Sequence, residues 1–134
     1  MKINEIIYWV ATILIVLFEG VMPAIFGGSE QAKSGISHLG YPDYFRVLLN
    51  CFKVAGATIL LLPVFKGRIK EWAYAGFTFD FIFASVSHAV IDGFGMMAFF
   101  PIIILAILAV SYIYYHKIQK KSHSETVFNK INQL

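Results

Sequence analysis

Four ionisable side chains stand in otherwise apolar stretches of the chain: Glu19, Lys53, Asp80 and His88. A charge near the centre of a bilayer costs several kcal/mol, so such groups face the interior of a bundle and find partners there. Three chemistries are open to them. The charges can lock helices in register, in which case removing one partner destabilises the fold without touching any activity. They can line a polar pocket for a substrate or a proton, with His38, Tyr41 and Asp92 joining Glu19 and His88 at one end. As a third chemistry, Glu19, His38, His88 and Asp92 are nitrogen and oxygen donors of the kind a metal uses. Only His88 and Asp92, four residues apart, have a suggestive helical spacing, and no metal is assigned. Ser87 beside His88 is not a catalytic pair, because adjacent residues on a helix point in different directions.

The elements that position these residues follow from composition. Of the 134 residues 58% are hydrophobic and only 14% charged, and mean hydropathy is +0.69. A soluble domain carries roughly 25% charged residues, so this chain lacks the polar surface that water requires. A disordered chain, a disulfide-built secreted scaffold and an ordinary cytosolic enzyme are thereby excluded. A helix needs about 20 apolar residues to cross a hydrocarbon core. Windows at about 5–26, 44–65, 71–91 and 97–116 qualify. The first is too long for a signal peptide, has Lys2 as its only leading charge and lacks a clear cleavage site. The expected fold is all-α: an integral membrane four-helix bundle over residues 1–116, followed by a basic tail over 117–134. Pro23, Gly27 and Gly28 close the first span. Pro42 precedes the second, Pro63 and Gly67 end it, and Gly93 and Gly95 separate the last two.

Four spans put both termini on one side, with the loop that holds Lys66, Arg68 and Lys70. Lys2, Lys117, Lys120, Lys121 and Lys130 add to that side, against Lys33 and Arg46 on the other. The positive-inside rule then places both termini in the cytoplasm. Topology accounts for these basic residues, and no nucleic-acid motif accompanies them.

At a rise of about 1.5 Å per residue, Lys53 and Asp80 fall near mid-membrane, while Glu19 and His88 fall together in the outer half. The expectation is two buried pairs, Lys53 with Asp80 and Glu19 with His88, or one cluster of all four. On the third span Asp80, Ala84 and Ser87 share a face. Ala55, Gly56, Gly76 and Ala84 are small enough to let helix backbones approach. The last span has no ionisable residue from Met97 to Val110 and reads as a wall.

Trp9, Trp72, Tyr8, Tyr74, Tyr112, Tyr114 and Tyr115 fall near one membrane interface, Tyr41 and Tyr44 near the other, as an aromatic belt would. Cys51 allows no internal disulfide and is expected as a small core residue. The connection over 27–43 is expected as a plain loop, with a lid folded over the bundle as the alternative. For the tail, a surface helix through Val127, Phe128 and Ile131 and a solvated segment both stay open.

The chain resembles the DoxX-like family of small bacterial four-span membrane proteins. The resemblance rests on Gly40-Tyr41-Pro42, Lys53-Val54-Ala55-Gly56-Ala57 and Leu60-Leu61-Leu62-Pro63. Its most specific stretch is Lys70-Glu71-Trp72-Ala73-Tyr74-Ala75-Gly76-Phe77, followed by Phe79-Asp80, Ala84 and Ser87-His88. It covers roughly residues 5–116 and implies a four-helix bundle in the bacterial cytoplasmic membrane. Lys53, Glu71, Trp72, Tyr74, Asp80 and His88 are its motif positions, without assigned roles. The wider family is named for a subunit of a thiosulfate:quinone oxidoreductase. Two functions are therefore expected: an accessory subunit with a polar intramembrane cluster, assembling with a membrane redox partner or with itself, or a quinone-linked subunit of an oxidoreductase. A quinone would take its hydrogen bonds from His88, Lys53 or Tyr41. A small solute or proton transporter is the third and weaker reading, since four short spans carry no inverted repeat. No resident cofactor is expected.

Overall fold

The computed structural model describes residues 2–134 and is helical among them, with no strand. Four helices are long and apolar enough to cross a membrane: α1 (Ile3–Phe26), α3 (Asp43–Leu61), α4 (Arg68–Asp92) and α5 (Met96–Asn132). Between the first two lies α2 (Glu30–His38), in the segment expected as a loop. Ser29 starts α2 by accepting a hydrogen bond from the Ala32 amide at 3.2 Å, which satisfies one of the free donors of its first turn. Gly67 and Gly93, both with positive φ, bracket α4 and permit the reversals into and out of it. Pro63 forces an extended backbone on Leu62 and so stops α3.

The helices form a closed ring in which α1 packs on α3 and α5, and α4 packs on the same two from the other side. Thus α1 and α4 stand diagonally across the bundle. The core along the axis joins Ile15, Leu60, Phe77, Phe81, Ile104 and Leu108 from all four long helices. Large apolar side chains such as Val10, Phe52, Phe83 and Ile103 point outward. In water that surface would aggregate; in hydrocarbon it is the natural solvent-facing side.

Within the spans, two glycines set the tight contacts. A Cβ on Gly20 would lie 2.6 Å from Ala57 Cβ, and one on Gly56 would lie 2.9 Å from the Phe77 ring. The expected close approach is met at Gly56 but not at Gly76, which faces open space. Near Gly20 the α1 ladder widens into a π turn over Leu17–Val21. One extra residue per turn there changes which side chains face the core.

Residues 117–132 continue α5 without a break, so the tail is a helical extension of the last span. At about 1.5 Å per residue the helix is about 55 Å long, well beyond a hydrocarbon core of about 30 Å. Lys2 meets Glu125 at 3.8 Å, which puts the two ends of the chain together on one side.

Candidate functional site

The centre of the site is Lys53 of α3. Its Nζ lies 2.8 Å from Glu19 Oε2 on α1 and 3.3 Å from Asp80 Oδ2 on α4. All three side chains are largely buried. The π turn carries Glu19 to this meeting point, and the Lys53 stem spans the diagonal between α1 and α4. Glu19 Oε2 and Asp80 Oδ2 are buried and accept no directed hydrogen bond, so the ammonium holds both by charge at an oblique angle. Such contacts depend on distance more than direction.

Lys53 and Asp80 therefore pair as the spacing predicts, but Glu19 and His88 do not. Glu19 joins Lys53 because α1 faces α3 and α5, while α4 sits across the diagonal. His88 turns instead to Asp92, one turn along its own helix, with Nδ1 at 3.0 Å from Oδ2. His38, at the end of α2, places Nε2 2.5 Å from the other oxygen, Asp92 Oδ1. Tyr41 and Ser87 share a hydrogen bond of 2.7 Å, and the Tyr41 ring stacks on Phe45. The six candidate residues thus divide. Glu19, Lys53 and Asp80 form an inner cluster, whereas His38, Tyr41 and His88 clasp α2 and its following turn to the end of α4. Of the four residues weighed as metal ligands, Glu19 is paired elsewhere, and His38 and His88 turn their ring nitrogens to Asp92 as hydrogen-bond partners. No group of three His, Cys, Asp or Glu side chains among the described residues is arranged to hold a metal.

A cleft of about 440 Å³ opens between α3 and α4 beside the inner cluster. Phe52, Trp72, Gly76 and Phe77 are among its apolar walls, and Lys53 and Asp80 are its charged ones. Its length from the level of Trp72 to that of Asp80 is about 12 Å, from eight residues of helical rise.

A second polar system, unforeseen from the sequence, fills the opposite half of the bundle. Lys70 is 3% exposed, and its Nζ donates to Tyr8 Oη at 2.8 Å and to the Leu60 carbonyl at 3.2 Å. The rings of Tyr8 and Tyr115 lie within about 6 Å of the ammonium, in cation–π range. Ser111 joins Thr12 at 2.7 Å and Tyr74 at 2.8 Å. Tyr8, Tyr74 and Tyr115 are therefore core residues and not members of an interfacial belt, unlike the exposed Trp72. Lys70 reads as one of three basic residues in a loop. Its spacing to Ala73, Tyr74, Phe77 and Phe81 nevertheless marks the buried face of α4. The wall reading of α5 stands up to Val110, and Ser111 is where its polar contribution begins.

One more expectation changes, the one for Cys51. Cys51 is exposed on the outer surface of α3, not packed in the core. Arg46 is buried at the α2 end, where it donates to the Gly27 carbonyl and pairs with Asp43 at 2.9 Å. Glu71, a motif position, accepts a hydrogen bond from His116 across the α4–α5 contact at 2.6 Å.

The DoxX-like family model matches residues 7–111. No curated protein and no solved structure matches the chain.

Proposed function

The chain belongs to the DoxX-like family, and from that premise we propose that it is an accessory subunit of an assembly in the bacterial cytoplasmic membrane, with both termini in the cytoplasm. The observation that carries this reading is how the buried charges are used. Lys53 ties α3 to α1 and α4. Lys70 ties α4 to α1 and to the last turn of α3. Each contact joins separate helices, so the polar groups brace a rigid bundle whose outer apolar surface is free to meet lipid or another chain. The cost of removing several charges and hydroxyls from water is offset in part by their mutual contacts, and the result is a scaffold. Basic residues clustered at the terminus-bearing end support the orientation.

Native mass spectrometry of the complex extracted from its own membrane in mild detergent tests the reading. The expected result is a second chain, or a second copy, at fixed stoichiometry. A chain that always emerges alone, at every detergent strength that keeps it folded, rules out the accessory role.

A further inference from the structure

The inner cluster holds two carboxylates against one ammonium. With all three ionised, one negative charge is left over at a depth where water is scarce, and an uncompensated charge there is costly. A bound cation would balance it. The helix α5 brings no ionisable residue to this level: from Met96 to Val110 it carries none. The titratable groups facing the site are therefore Glu19 from α1, Lys53 from α3 and Asp80 from α4.

The two carboxylates are not equivalent. Lys53 Nζ sits 2.8 Å from Glu19 and 3.3 Å from Asp80, so the ammonium leans toward α1. Each carboxylate keeps a buried oxygen without a directed hydrogen bond, and Asp80 is the more distant from the ammonium. Of the two carboxylates only Asp80 lines the cleft between α3 and α4, where Lys53 stands beside it. The cleft's volume of about 440 Å³ lies within the usual range for small-molecule sites, about 300–1,000 Å³. The rings of Phe52, Trp72 and Phe77 border it, and aromatic faces attract cations, the more so when desolvated. At Gly76 the wall is bare: a Cβ there meets nothing within 4 Å.

We propose that this cleft is a binding site for a lipophilic cation, an amine or quaternary centre on an apolar body, with Asp80 as its counter-ion and the aromatic walls around it. The charge count also favours the cation over a neutral acceptor such as a quinone. A quinone would draw on the Lys53 protons, which already face two carboxylates, and would leave the surplus charge in place. The inference is independent of whether the chain assembles with a partner.

The test is calorimetric titration of the full chain in mild detergent with tetraphenylphosphonium, and with tetraphenylborate and ubiquinone-1 as anionic and neutral comparators. The expected result is saturable binding of one tetraphenylphosphonium per chain, and at most background binding of the comparators. Asp80→Asn and Gly76→Leu should each weaken the cation at least tenfold. The second substitution fills the cleft without touching the charged cluster, so it keeps the test sharp if Asp80→Asn fails to fold. Binding of tetraphenylborate or ubiquinone-1 as tight as that of the cation overturns the proposal, and so does unchanged cation binding in Gly76→Leu.

Discussion

The two halves of the bundle solve the same problem by different means. Toward the α2 end, three charges share one point and none of their contacts is a directed hydrogen bond. Toward the terminus-bearing end, Lys70, Tyr8, Tyr74, Ser111 and Thr12 are joined by directed bonds of 2.7–2.8 Å, and Thr12 and Ser111 are fully buried. The first half is held by net Coulomb attraction, which is strong, long-ranged and tolerant of angle. The second is held by hydroxyl bonds, each modest and strict in geometry. A half built on charge keeps room beside it for a further charge. A half built on directed bonds is closed. Between them lies an apolar layer of Ile15, Leu60, Phe77 and Leu108, so the two polar systems occupy separate compartments of one core.

Four substitutions would break or sharpen that contrast, beginning with the largest effect. Lys53→Met leaves Glu19 and Asp80 facing each other without a counter-charge, and should cost on the order of 3–5 kcal/mol of stability. Adding Asp80→Asn should return part of the loss. Detergent-based unfolding reads both, and strict additivity of the two single losses would disprove the pairing. Lys70→Met should cost about 1–3 kcal/mol, because it strands the Leu60 carbonyl and removes a donor from Tyr8. Its loss should add to that of Lys53→Met, since the apolar layer separates the two systems. A strong non-additive coupling in the same unfolding assay would merge the compartments. The smallest effect belongs to the clasp on α2. His38→Ala should leave the unfolding midpoint of the bundle unchanged while amide hydrogen exchange in α2 speeds up. Here the contact is on an exposed imidazole, its partner Asp92 keeps His88, and the bundle does not depend on it. Unaltered exchange across Glu30–His38 would show that Tyr41 and Arg46 hold α2 without the histidine.

Much of this was legible in the chain. Apolar windows of span length, Pro and Gly between them and basic residues gathered at one end are local signals, and hydropathy with helical period is enough to read four spans from them. The residues of the inner cluster were legible too, because Glu19, Lys53 and Asp80 are anomalies against apolar neighbours wherever they point. Lys70 was not, since among Lys66 and Arg68 a third basic residue looks like a topology signal. Only the fact that α4 begins there, with its buried face running through Tyr74 and Phe77, takes it into the core. The tyrosines misled for the same reason: an amphipathic ring near a helix end suits an interface or a core equally well.

The sequence by itself thus determined the spans, the ionisable residues inside them and the likeness to a family, because each depends on residue type and short-range spacing. Only the tertiary structure decided who meets whom. Glu19 turns to Lys53 and not to His88 because a π turn shifts its face and because α1 and α4 stand on a diagonal. Gly56 receives a ring and Gly76 faces open space, although one residue type occupies both places. Pairing between helices depends on rotation and position around the bundle axis, to which the periodicity of a single helix is blind.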